Sequence, residues 1–298
     1  MKAYSIDELL GRKHTRKDLY LKEVVIADGV ENISGKLMCK FKQMTSVIIP
    51  KSVENIESYA FYNCPNLTSI FIPESVSFIS PSAFNYCESL ESIIVDENNI
   101  FYDSRDNCNA VIRKKDNILV VGCKSTVIPD GVKRIEAFSL YSCKGIVALK
   151  IPQSVSFFSV NVLRSREGLM SIVIDDKNSI LDSRDNCNAI IRKSTKTLLY
   201  GCNNTVIPKG VEIIDYRACE GCVELTEITI PEGVRIICSK AFYGCKKLTS
   251  ITLPNSIVSI GDKAFSCCSR VKHFYIPHGS TEKFVKLLPQ YKDCFIEL

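Results

Sequence analysis

The octapeptide DSRDNCNA occurs twice, at residues 103–110 and 182–189, each time followed by an apolar pair and Arg-Lys. Taken alone it suggests a reactive cysteine, Cys108 or Cys187, held among the charged neighbours Asp103 and Arg105 or Asp182 and Arg184. The thiolate is the nucleophilic and metal-binding form of cysteine. Cysteine catalysis also needs a base within hydrogen-bond reach. The chain holds three histidines, His14, His273 and His278, all near its ends and far along the chain from both thiols. It contains no H-E-x-x-H, no G-x-S-x-G and no Gly-rich phosphate loop. The expectation is therefore a protein that is not an enzyme and carries no cofactor. A second candidate, CEGC at residues 219–222, has the spacing of a metal or redox pair, yet no second C-x-x-C completes a zinc set. No metal site is expected.

What must position these segments is a repeat. Pro50, Pro73, Pro129, Pro152, Pro208, Pro231, Pro254 and Pro277 are separated by 23, 56, 23, 56, 23, 23 and 23 residues. The period is 23 residues, and each 56-residue gap is one period with a 33-residue insertion. Counting from each proline, apolar residues recur at places three and six, Ala and Phe at ten and eleven, Cys at fourteen, Leu at seventeen, and Ile-x-Ile before the next proline. A degenerate first copy begins at Ala27. Self-similarity at this period with an L-x-x-I-x-I core predicts a leucine-rich-repeat solenoid, an α/β repeat in which stacked turns share one core. The two isoleucines lie on one side of a strand and face inward, so the residue between them faces out on a concave parallel sheet. The Ala-Phe-x-x-Cys spacing predicts a short convex helical turn.

At place fourteen stand Cys64, Cys87, Cys143, Cys222, Cys245 and Cys268, with Arg166 as the exception. Small buried thiols under the turn are expected, the alternative being disulfides between neighbouring turns. Repeat register also accounts for CEGC, because Cys222 belongs to this ladder and Cys219 holds the Phe place.

Both octapeptides fall inside the insertions, about residues 96–128 and 175–207, and lie 79 residues apart. In the first, NAVIR and ILVVG flank a polar KKDN; in the second, NAIIR and TLLYG flank KSTK. Both read as β-hairpins. A two-residue turn at Lys115 and Asp116 places Cys108 opposite Cys123, and Cys187 and Cys202 have the same spacing. Buried thiols are expected there rather than a bridge. The closing VIP copies an ordinary strand ending, so each insertion is expected to add a sheet strand as well as a hairpin protruding beside the concave face. Asp103, Ser104, Arg105, Asp106 and Asn107 read as turn formers.

PESVSFISPSAFNYCESLESIIV, YDSRDNCNAVIRK and VVGCKSTVIPDGV together resemble the BspA-like class of bacterial leucine-rich-repeat proteins over about residues 24–298. The final YIPHGSTEKFVKLLPQYKD is similar to that class's helical end cap. The resemblance implies a right-handed solenoid, of a kind carried by surface proteins that bind host matrix or plasma proteins or other bacteria. The expected organisation is an amino-terminal cap at 1–23, the solenoid at 24–276 and a carboxy-terminal helical cap at 277–298, in one structural domain.

In register, the concave column reads Ile48, Phe71, Ile94, Val127, Lys150, Val173, Val206, Thr229, Thr252 and Tyr275, beside serines at 46, 69, 92, 171 and 250. An apolar strip flanked by polar residues is a candidate protein-binding surface, although β-branched residues also favour strands for their own sake. The alternative is an intracellular scaffold, or a polyanion-binding protein using the basic Arg12, Lys13, His14, Arg16 and Lys17. A net charge of +5 and mixed charges along the repeats argue against nucleic acid. The first residues lack the apolar stretch of an export signal, and no run approaches the roughly 20 apolar residues of a membrane helix. A cytoplasmic location is expected on that ground, with the cell surface as the alternative that the resemblance implies.

Overall fold

Ile-x-Ile followed by proline forms a strand that ends where the proline withholds its N–H. In a computed structural model, which describes residues 3–4, 20–143, 145–163 and 166–298, Ser69–Ile72 pairs in parallel with Ser92–Val95, in the register Phe71 opposite Ile94. Both strands alternate inward Ile or Val with an exposed residue. Ala148–Ile151 and Ser171–Ile174 repeat the pairing, with Lys150 opposite Val173. The basic cluster Arg12, Lys13, His14, Arg16 and Lys17, and most of the expected amino-terminal cap, lie outside the described residues.

The chain forms two compact units, one of residues 1–144 with 154–164, the other of residues 145–153 with 165–298. Each is a stack of parallel coils with little helix, as the repeat requires. In the first unit a second row of two-residue strands, Asn32–Ile33, Asn55–Ile56 and Phe78–Ile79, sets the place-six isoleucines above one another. The core between the rows runs without a break through Val53, Ile56, Phe61, Cys64, Leu67 and their equivalents. Phe61 stacks on Phe84 at 5.1 Å, and in the second unit Phe242 stacks on Phe265 at 5.3 Å. The last coil of that unit leads into a helix, Thr281–Leu287, whose Phe284 is buried in the core, and then into a strand, Phe295–Glu297, that pairs in parallel with His273–Ile276.

The expected helical turns over Ala-Phe-x-x-Cys are absent among the described residues, apart from one 3₁₀ turn at Leu37–Lys40 in the degenerate copy. Place nine adopts positive φ in Tyr59, Phe138, Arg217, Lys240 and Lys263, as does place thirteen in Asn63, Tyr86, Gly221, Gly244 and Cys267. A left-handed residue every four positions cannot continue a right-handed helix. The N–H groups turn to the next coil instead. The place-eleven N–H donates to the place-ten carbonyl one coil on: Phe61 to Ala83 at 2.9 Å, Leu140 to Val162 at 3.2 Å and Phe242 to Ala264 at 2.8 Å.

The insertions also depart from expectation. Ala110–Arg113 runs antiparallel to Ile118–Gly122, and Ala189–Arg192 to Thr197–Gly201. These strands are buried nearly throughout, so they do not protrude beside the first sheet. Runs such as ILVVG, apolar at consecutive positions, must be covered on both faces. They join the second row, where Ile118 and Leu119 pair in parallel with Arg134 and Ile135. A register shift between Val111 and Ile112 puts Ala110 opposite Gly122, so Cys108 and Cys123 are not opposed. The closing Val127-Ile128 and Val206-Ile207 form no strand. Instead the Val127 N–H donates to the Cys108 carbonyl at 3.1 Å, and Val206 to Cys187 at 3.0 Å.

Candidate protein-interaction surface

In the first unit, the outward position of successive coils holds Ile48, Phe71, Ile94 and Val127, exposed by 54%, 47%, 51% and 68%. Their inward neighbours Val47, Ile49, Ile70, Ile72, Ile93, Val95 and Ile128 are all buried. Strand alternation forces Ile48, Phe71 and Ile94 outward, and Val127, which belongs to no strand, is exposed beside the buried Ile128. Ser69 lies directly opposite Ser92, two residues from the apolar column. No charge stands among Ile48, Phe71, Ile94 and Val127, while the serine column is bordered by Glu23 opposite Ser46. In the second unit Lys150, Val173 and Val206 are exposed, whereas Thr229, Thr252 and Tyr275 form a separate, hydroxyl-bearing register ladder.

The octapeptide residues serve the fold. The Arg105 guanidinium donates to both carboxylate oxygens of Asp103 at 2.8 and 2.6 Å and to Asn117 Oδ1 at 3.1 Å, tying the start of the insertion to its tight turn. Arg184 and Asp182 repeat the pair. Ser104 Oγ accepts the Val95 N–H at 3.0 Å, and Ser183 accepts that of Ile174 at 2.9 Å. The thiols of Cys108 and Cys187 point inward, and burial pushes each up to about 11. Such thiols stay protonated at neutral pH, the reverse of an activated nucleophile. All fifteen cysteines are unpaired, including Cys123 and Cys202. Among the described residues no three His, Cys, Asp or Glu cluster to hold a metal.

The thiol ladder has a bonding pattern of its own. Cys64, Cys87, Cys245 and Cys268 each donate to the place-eleven carbonyl of the preceding coil, at 3.4, 3.0, 3.2 and 3.1 Å. After the first insertion Ser142 takes over this bond, to the Phe84 carbonyl, one residue before Cys143. In the second unit Arg166 stands in the ladder and reaches forward. Its buried guanidinium bonds the carbonyls of Ala218 and, at 3.0 Å, Arg217, and lies 3.6 Å over the Tyr200 ring. A hydrogen bond from Cys219 and the nearby Arg166 cation hold the Cys222 thiol below its ordinary range.

Several supporting residues carried no signal in the repeat register. Asn99 and Asn178 tie each insertion to the coil before it. Gly122 and Gly201 donate to the place-ten carbonyls of Ser139 and Ala218, replacing the place-eleven N–H that the insertion displaces. A Cβ on Gly201 would stand 2.6 Å from Thr205 Oγ1 and 2.7 Å from Cys219 Sγ. Thr205 cannot retreat, because it accepts the Cys202 N–H and donates to the Asn188 carbonyl. Gly201→Ala should therefore cost about 1–3 kcal/mol, measured by chemical denaturation.

Among the described residues no helix is long and apolar enough to cross a membrane. The chain is similar in structure to a leucine rich cell surface protein of Faecalibacterium prausnitzii, with a TM-score of 0.56 and 25% identity over 90% of this chain. It spans 62% of that protein's length. It is similar also to a leucine-rich repeat protein of Eubacterium ventriosum, at a TM-score of 0.51 and 22% identity over 86% of both chains. No curated protein matches the chain. The model of the BspA type Leucine rich repeat region matches six copies, over residues 13–111, 120–189 and 190–286. Period, coil pairing and family match agree, and the chain belongs to the BspA-type leucine-rich repeat family.

Proposed function

We propose that the protein is a non-enzymatic binding module that captures a protein partner on the outward column Ile48, Phe71, Ile94 and Val127. The observation that carries this reading is the column itself: four half-exposed apolar side chains in register, beside serines and without a charge among them. A contiguous apolar patch with a polar border is the usual mark of a recognition surface. In the second unit, Lys150, Val173, Val206 and Tyr275 extend the proposal. The likeness to a protein described as a cell surface protein favours a bacterial surface setting over a cytoplasmic one, with a matrix or plasma protein as partner. We take the coils to wind right-handedly, as crossovers between parallel strands do. The antiparallel segments serve as hairpin insertions, and residues 277–298 as an end cap.

The double substitution Phe71→Lys with Ile94→Lys should abolish capture of immobilised matrix and plasma proteins while leaving the unfolding temperature nearly unchanged. Val258→Lys, at an equally exposed apolar site away from the column, should have no effect. Capture that survives the double change removes the column as the site. A wild-type chain that captures none of these proteins removes the proposed partner class.

A further inference from the structure

We propose that a cleft over the Ala-Phe-x-x-Cys turns of the first unit binds an acidic saccharide. Tyrosine rings would pack on the sugar, Asn85 would accept a hydroxyl proton, and Lys36 would pair with the carboxylate. The cleft has a volume of about 330 Å³, within the range of ligand pockets, ~300–1,000 Å³. It follows from the coil register. Place twelve reads Tyr62, Asn85 and Tyr141 in three stacked coils. Asn85 puts a short amide between the two tyrosines, and the neighbouring Tyr86 ring packs against both, 5.0 Å from Tyr62 and 6.1 Å from Tyr141. Tyr59 and Phe138, at the left-handed place nine, close the sides of the cleft. The corresponding place-twelve residues of the second unit, Glu220, Tyr243 and Ser266, form no such aromatic group.

Two observations point to a ligand of this kind. Asn85 is 5% exposed, lines the cleft, and its Oδ1 has no hydrogen-bond partner among the described residues. A buried acceptor left unmade costs about 1–3 kcal/mol, and a ligand hydroxyl that displaces the neighbouring rings far enough to reach Oδ1 would remove that cost. The Lys36 ammonium sits 4.9 Å over the Tyr62 ring at the cleft's edge and makes no ion pair among the described residues. It already occupies the cation–π position, so it repels a cationic ligand and attracts an anionic one.

Ring geometry selects among anions. Tyr59 meets Tyr62 at 83°, Tyr86 meets Tyr141 at 64°, and Phe138 meets Tyr141 at 68°. These tilted rings make no parallel slot for a flat base. They present faces and edges to a puckered C–H surface, and the tyrosine hydroxyls both donate and accept, as a polyhydroxyl ligand requires.

The probes are a tetrasaccharide of alternating glucuronate and N-acetylglucosamine, the neutral N-acetylglucosamine tetramer, free glucuronate and a nucleoside monophosphate. Binding to the full chain is followed by saturation-transfer NMR and calorimetry. The acidic tetrasaccharide should bind more tightly than the neutral one. Lys36→Gln should weaken only the acidic ligand, and Asn85→Leu should weaken both, each by about tenfold. Asn85→Leu should keep or raise the unfolding temperature, since it removes an orphaned acceptor; Tyr59→Ala, at a half-exposed ring, gives a second test if the leucine variant fails to fold. Free glucuronate binding as well as the tetrasaccharide would assign the site to a single sugar rather than a chain and still support it. Equal binding of acidic and neutral tetramers, no signal from either, or unchanged affinity in Asn85→Leu and Tyr59→Ala overturns the proposal. Tighter binding of a nucleoside monophosphate overturns it as well.

Discussion

Arg166→Ala should destabilise the second unit by about 3–5 kcal/mol, seen as a lowered urea midpoint. Three losses add. The Arg217 carbonyl gives up its charged donor, and a hydrogen bond to a charged group contributes about 1.5–3 kcal/mol. The Tyr200 ring, itself fully buried, gives up a desolvated cation stacked at 3.6 Å, worth about 2 kcal/mol. The shortened side chain also leaves a void. Neither carbonyl is orphaned, since Ala218 still accepts the Gly201 N–H at 2.7 Å and Arg217 the Glu220 N–H at 3.2 Å, so these hydrogen-bond losses fall at the lower end of their range. Against these losses stands relief of the buried cation's own desolvation, several kcal/mol in general. Arg166→Met separates the two effects, because it fills the space without a charge or a donor. If the bonds outweigh desolvation, Met should be about 1–3 kcal/mol less stable than Arg. A methionine variant as stable as the wild type would show that the guanidinium is tolerated rather than needed.

The same residue shows how far register reasoning reaches. The period placed Arg166 in a column of cysteines and marked it as the odd member. It did not say that the chain would use the longer side chain to reach the next coil, where an insertion had displaced the usual N–H donors. The strands were legible because Ile-x-Ile and proline act within one coil. The turns were not, because Ala-Phe-x-x-Cys buries the same residues in a helix or in a tight coil. The distinction lies in the sign of φ at places nine and thirteen. Gly221 and Gly244 hint at it, but Tyr59, Arg217 and Lys240 adopt positive φ without being residues that favour it.

The hairpin register failed for a related reason. Val120 and Leu199 are the extra residues of two bulges, and a bulge in an unbroken apolar run leaves no mark in the pattern. The thiols were read in the right column but without their donor role, which depends on a carbonyl 26 residues earlier. The exposure of Ile48, Phe71 and Ile94 follows from strand alternation alone and was readable on that ground, whereas Val127 and Val206 lie outside any strand. The aromatic cleft arises where Asn85 interrupts the place-twelve tyrosines and the place-thirteen Tyr86 packs against both, a combination of two places that neither column shows alone.

Asn99→Ala should destabilise the first unit by about 3–6 kcal/mol. Asn99 has no exposure to solvent, and its amide makes four hydrogen bonds. Nδ2 donates to the carbonyls of Pro73 and Val76, and Oδ1 accepts from the N–H groups of Phe101 and Tyr102, all at 2.9 Å. That set uses the amide's two donors and both acceptor lone pairs. Alanine would leave the Val76 carbonyl and two N–H groups without the asparagine, at about 1–3 kcal/mol for each that stays dry, while the Pro73 carbonyl keeps the Val76 N–H at 3.2 Å. Asn178 repeats the arrangement with Pro152, Ile180 and Leu181. The two asparagines share no partner, so Asn178→Ala should cost a similar amount and the double change should be additive. Asn99→Asp separates hydrogen bonding from packing. It keeps both acceptors but faces two carbonyls with a buried carboxylate, whose pKa desolvation raises. The folded state then binds the proton more tightly than the unfolded state, near ~3.9, so stability of this variant should rise as pH falls. Protonation also restores one donor toward Pro73 or Val76. If Asn99→Asp instead matches the wild type at neutral pH, the two carbonyl bonds do not hold the insertion against its coil.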